Sequence, residues 1–168
     1  MKRIVVVFTA LFVWTLTLQA QSYTKSFPQY GFSITAPCKL SDVSAQSNGN
    51  FLVNYAGAEN ENDRSKFAFY QIMAFRLPAG ALDYTQDQLN QIFKSFVEST
   101  LLDGFASHKA IRFGYEGYTG YEVQTTANGY KQKGVYFLKG TYVIGLTVIS
   151  NYNLDSRFNK FTNGFKSL

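Results

Sequence analysis

The sequence is poor in the residues that most often carry chemistry. Of its 168 residues one is a histidine, His108, and one a cysteine, Cys38. A single histidine excludes every two-histidine metal site and leaves any nucleophile dyad to His108, with Cys38 as its one possible thiol partner. A single cysteine excludes a disulfide within the chain, so the fold must stand on its core. No Gly-x-Ser-x-Gly turn, glycine-rich phosphate loop or zinc-ligand spacing occurs. Glu59, Glu61 and Asp63 begin like a calcium loop, but no glycine holds the sixth position and Tyr70 stands where the closing glutamate belongs. A solvated loop is the plainer expectation there, as helix capping is for Asp83 and Asp87. No catalytic residue, metal or cofactor is expected.

Long apolar runs are also scarce, and the one present lies at the start. "MKRIVVVFTALFVWTLTLQAQS" has a basic beginning (Lys2, Arg3), an apolar stretch and a small residue before a polar one, the three parts of an export signal. As a helix, residues 4–18 would be about 22 Å long, short of the roughly 30 Å hydrocarbon layer. Cleavage after Ala20 is therefore expected in preference to an uncleaved N-terminal anchor. Residues 21–168 then form one domain of 148 residues, periplasmic or secreted and without a membrane span. Cys38 lies too far past the signal to carry a lipid. Its expected place is a small buried position after Pro37.

Excess charge is small as well. Without Lys2 and Arg3 the basic residues fall from 16 to 14 against 11 acids, an excess of +3 instead of +5. The basic residues are scattered, with no cluster or stripe, which excludes nucleic acid as a partner.

What is present is a patterned chain. "QYGFSITAP" alternates Tyr30, Phe32, Ile34 and Ala36 with small or polar residues and predicts a first strand after a polar leader. A turn-rich stretch ending in Asn48-Gly49 leads to "FLVNYAG", and "AENENDRS" joins that run in a hairpin to "KFAFYQIMAFRL", an apolar strand with neighbours on both faces. From Asp87 to Leu102 the period changes to three and four, through Leu89, Ile92, Phe93, Phe96, Val97 and Leu101, which predicts an amphipathic helix. Thr85 and Gln88 have the capping spacing at its start, and Gly104 marks its end. Four strands follow over 108–115, 119–126, 130–138 and 141–150, with connections short enough for an antiparallel meander. "TYVIGLTVI" is apolar at odd and even positions alike, so the last strand belongs inside the sheet. A two-residue loop at Lys139-Gly140 would set Gly134 opposite Gly145 and leave room there for something bulky. Leu154, Phe158, Phe161, Phe165 and Leu168 predict a second amphipathic helix to the end of the chain, weakened by Gly164.

"GYEGYTGYE", Gly114 to Glu122, repeats a Gly-Tyr-x triplet. Tyr115 and Tyr121 share strand parity and Tyr118 does not, so a continuous strand would divide them between two faces. A reversal that matches apolar parity pairs residue 111 with 123 and 113 with 121, and leaves Glu116, Gly117 and Tyr118 as the tip. The stretch reads as hairpin chemistry first. Tyr115, Glu116 and Tyr118 are the candidate interaction surface.

The order of these elements, an opening "YGFSITAP" strand, a hairpin, a helix, a "GYTGYE" hairpin, a long apolar strand and an ending "FTNGFKSL", resembles the PsbP-like fold. That fold belongs to extrinsic photosystem proteins, a Ran-binding nuclear import factor and many small exported bacterial proteins. The resemblance implies an α+β domain with an antiparallel sheet flanked by helices, an α/β/α sandwich. It brings no shared catalytic residue, and nothing in the chain ties it to photosystem or Ran binding. The function expected is a non-enzymatic exported domain that binds another envelope or extracellular protein. Two further readings are an enzyme built around His108, Cys38 or the Glu59 to Asp63 loop, and an inhibitor or immunity-type module.

Overall fold

The computed structural model describes residues 21–44, 52–77, 83–85, 87–88, 91–92, 95, 108–115, 118–127 and 129–168. The proposed signal, Asn48-Gly49, Gly104, Glu116 and Gly117 lie outside these. Among the described residues ten strands run in chain order: β1 (Tyr23–Phe27), β2 (Phe32–Ala36), β3 (Ser41–Asp42), β4 (Val53–Glu59), β5 (Ala68–Arg76), β6 (His108–Tyr115), β7 (Tyr118–Ala127), β8 (Tyr130–Lys139), β9 (Tyr142–Ser150) and β10 (Phe165–Ser167). The C-terminal helix spans Leu154–Asn163.

Seven strands form one antiparallel sheet in the order β3-β4-β5-β9-β8-β7-β6. The meander of β6 to β9 is as the sequence implied, and β5 closes onto β9, which puts the doubly apolar β9 in the middle. Alternation along β9 sends Ile144, Leu146 and Val148 to one face and Val143 to the other. The first face is covered by the C-terminal helix and by a three-stranded sheet, β1-β2-β10, whose Phe32, Ile34, Phe158, Phe161 and Phe165 fill the larger core. Burying each phenylalanine is worth roughly 1.5–3 kcal/mol.

The second face carries a smaller core of Met73, Leu77, Val123, Tyr136 and Val143, with Tyr84 and Ile92 packed against it. Residues 87, 88, 91, 92 and 95 are helical, and of these only Ile92 is turned inward. The capping box is made: the Gln88 N–H donates to Thr85 Oγ1 at 3.3 Å and the Thr85 N–H to Gln88 Oε1 at 2.8 Å. Helical residues thus flank the sheet on both faces. The other apolar positions of that stripe lie outside the described residues.

Three expectations need correction. Residues 23–27 are not leader but an edge strand, antiparallel to β2. Tyr30 belongs to a 3₁₀ turn begun by Pro28, and Gly31 closes it before the strand starts at Phe32. The C-terminal helix does not reach Leu168: it stops at Asn163, and β10 pairs with β2. The cause is a backbone contact, since a Cβ on Gly164 would lie 2.1 Å from the Thr35 carbonyl oxygen. Phe165 is buried all the same, as a strand residue, whereas Leu168 is 66% exposed.

The two hairpin registers also differ. The observed pairs are Ile111 with Glu122, Phe113 with Gly120 and Tyr115 with Tyr118, so two residues, not three, separate β6 from β7. Parity matching loses its force in a sheet covered on both sides, because either face can take an apolar residue. The loop of β8 and β9 is Gly140-Thr141, with the positive φ of +58° at its first position that a II′ turn requires. Gly145 therefore faces Tyr136, and Gly134 faces Thr147. The bulky group over Gly134 is the Tyr136 ring itself, whose hydroxyl lies 3.1 Å from Thr147 Oγ1.

Candidate functional site

Cys38 and His108 do not meet. Cys38 is buried in the larger core, its sulfur beside Gly57 on β4, whereas His108 opens β6 at the far edge of the sheet. Five strand steps separate β4 from β6, about 24 Å at roughly 4.8 Å each. Burial pushes the Cys38 thiol up to about 12, with the Glu59 and Glu61 charges adding to it. Such a thiol is almost wholly protonated at neutral pH and a poor nucleophile.

The acidic loop is divided among structural tasks. Asp63 caps a short 3₁₀ turn by accepting from the Ser65 hydroxyl at 2.6 Å and the Ser65 N–H at 2.9 Å, bonds that hold its carboxyl below the usual range. Glu59 turns instead toward Arg157. Among the described residues no group of three or more His, Cys, Asp or Glu side chains comes together as a metal-binding set.

The principal polar cluster was not legible in the sequence. Arg157, on the first turn of the C-terminal helix, donates through Nη1 to Glu59 and, at 2.7 Å, to the Tyr70 hydroxyl, and through Nη2 to the Tyr152 hydroxyl. Its guanidinium carbon stands 4.1 Å from the Tyr152 ring centroid. Asn60 donates to the same Tyr152 hydroxyl at 3.0 Å and to the Lys66 carbonyl at 3.1 Å. The cluster ties the β4–β5 connection to the start of the helix across 98 residues of chain. Burial raises the Tyr70 phenol, against the opposing hydrogen bond from Arg157. Arg157 Nε is also buried and has no hydrogen-bond partner among the described residues. Nearby, Lys133 bridges Asp155 at 3.1 Å and Glu122 at 3.3 Å while lying over the Phe158 ring. These groups brace the start of the helix against the sheet.

The structure brings two of the three candidate surface residues together: Tyr115 and Tyr118 are the last cross-strand pair of the β6–β7 hairpin, at the outer edge of the sheet. Glu116 falls outside the described residues.

A scan against protein-family models finds no match, and neither does a search of curated proteins. Solved structures do match. The solution structure of cyanobacterial PsbP (CyanoP) from Synechocystis sp. PCC 6803 superposes with a TM-score of 0.57, over 89% of this chain and 94% of that one, at 13% identity. The chain has a PsbP-like fold. At that identity the likeness carries the architecture alone. The PsbP-like core explains why β9, the Phe-rich helix and the meander were readable as pattern. Among the described residues no helix is long and apolar enough to cross a membrane.

Proposed function

We propose that this PsbP-like domain is an exported accessory protein that binds another protein of the cell envelope or its surroundings, without turnover. The observation that carries the reading is the separation of Cys38 and His108, the one Cys–His pairing the composition allows, by the width of the sheet, with the thiol sealed in the core. Ion pairs that would otherwise suggest chemistry are spent on bracing the helix. The Tyr115 and Tyr118 pair closes an edge hairpin, a position where two aromatic residues suit a partner surface better than a core.

The test is recovery of the tagged full-length chain from its own envelope fraction, with identification of what accompanies it. The recovered form should begin at Gln21, and a defined partner should be depleted several-fold by Tyr118→Ala. Recovery of a cytoplasmic form with Met1 intact refutes export. Undiminished capture by Tyr118→Ala refutes the hairpin contact, and no partner under cross-linking refutes binding.

A further inference from the structure

The chain turns from helix to strand at Gly164, and a cleft of about 560 Å³ opens beside that turn. Its size falls in the range of small-ligand sites, roughly 300–1,000 Å³. Lys160, in the last helical turn, and Lys166, on β10, both line it. Ser22 and Asn163 add a hydroxyl and an amide, Thr35 adds a hydroxyl that also lies 2.9 Å from that of Thr24, and among the described residues no carboxylate lines the cleft. The floor is fixed, because the Thr35 N–H donates to the Gly164 carbonyl at 2.9 Å and the two backbones are in close contact.

We propose that this cleft binds a phosphomonoester group, carried by a small metabolite or by a lipid headgroup. Such a group bears nearly two negative charges at neutral pH and three strong acceptor oxygens. Two ammonium groups match the charge, and the hydroxyl and amide donors match the oxygens. The opposing field comes from the helix C-terminus, worth about half a negative charge and partly satisfied by the Gly164 N–H, which donates to the Phe161 carbonyl. Two full positive charges outweigh it. The helix dipole alone accounts for Lys160, but it does not account for a second lysine brought in from a strand. Three other cations are engaged: Lys133 with two carboxylates, Arg157 with Glu59, Lys139 with the Ser167 hydroxyl. Lys160 and Lys166 have no described partner.

The experiment is an amide NMR titration of the mature chain with glycerol 3-phosphate and with inorganic phosphate, alongside sedimentation with phosphatidic acid vesicles against phosphatidylcholine vesicles. Shifts should centre on Thr35, Asn163, Gly164 and Lys166 and weaken with added salt. Lys160→Gln and Lys166→Gln should each reduce affinity roughly three- to tenfold, and together remove binding. Both lysines are exposed, so the unfolding midpoint should move little beyond the small helix-dipole share of Lys160; Lys160→Met serves as a second variant if Lys160→Gln fails to fold. A response to the soluble phosphates without sedimentation on phosphatidic acid vesicles identifies a metabolite, and sedimentation on those vesicles identifies a headgroup. The inference is overturned if neither arm perturbs the cleft, if the shifts map elsewhere, or if the double variant binds as well as the parent.

Discussion

Replacing Gly164 by alanine sets two physical arguments against each other. On helix propensity, alanine near a helix end should stabilise the domain by up to about 1 kcal/mol. The backbone at Gly164 is ordinary, with φ −75° and ψ −12°, so strain offers no objection. The objection is steric: the new Cβ would lie 2.1 Å from the Thr35 carbonyl oxygen, 3.1 Å from its carbon and 3.1 Å from the Phe161 oxygen. All three neighbours are backbone atoms and cannot swing aside. Relieving the clash means parting β10 from the end of β2, at an overpacking cost of about 1–3 kcal/mol. The Thr35 to Gly164 hydrogen bond would lengthen, losing about 1 kcal/mol, and the buried Phe165 would shift. Set against the propensity gain, Gly164→Ala should destabilise by roughly 1–3 kcal/mol. In a domain of this size that lowers the melting temperature by roughly 3–10 °C. Urea unfolding of residues 21–168 followed by circular dichroism reads the change, with m unaltered if only stability has moved. A variant as stable as the parent, or more so, would show that the contact between Gly164 and Thr35 does not set the helix end.

The remaining predictions concern the core and the brace. Arg157→Met leaves Glu59 and the Tyr70 hydroxyl without their donor; because the pair is partly open to solvent, the expected loss is about 2 kcal/mol, below that of a fully buried pair. A double-mutant cycle with Glu59→Gln should return a coupling of about 1 kcal/mol, and additivity would mean that the two residues do not brace each other. For Cys38, a rise from 9.0 to about 12 means roughly a thousandfold less thiolate than in the unfolded chain below pH 9, so native alkylation should be slow and urea should release it. The same shift makes stability pH-dependent: the unfolded thiol ionises first, so the contribution is full below about pH 9 and declines as pH rises toward about 12. Tyr70 adds a loss of the same sign at higher pH. Cys38→Ala should remove the early part of that decline, and an unchanged pH profile would refute the assignment.

What could be read in advance followed from periodicity. β9 declared its central place because no alternation of period two survives when both faces are covered, and Thr85 with Gln88 declared a helix start through local chemistry alone. Register was harder. The β6–β7 and β8–β9 pairings depend on which residues close each loop, and a slip of one residue alters every partner while leaving composition untouched. β1 was lost because its Lys25 and neighbours are solvated and only Phe27 is buried. The last phenylalanine misled in a different way: Phe165 fits a helical stripe in sequence and the core in space, yet a glycine one residue earlier decides its backbone. Contacts such as Arg157 with Glu59 join residues 98 apart and leave no local trace.

The C-terminal helix sorts its charges by role. At its first turns Asp155 and Arg157 are bound into bridges with Lys133 and Glu59, so removing them should cost folding energy. At its last turn Lys160 answers only the helix dipole, and Lys166 beyond it answers nothing in the described structure. A charge retained without a folding role is where binding can be gained or lost independently of stability. The two ends of one helix therefore provide an internal control: substitutions at Arg157 should move the unfolding midpoint and leave phosphate titration of the folded fraction intact, and substitutions at Lys160 should do the reverse. If both ends affect both measurements alike, the helix acts as one structural unit and the cleft loses its claim to a separate role.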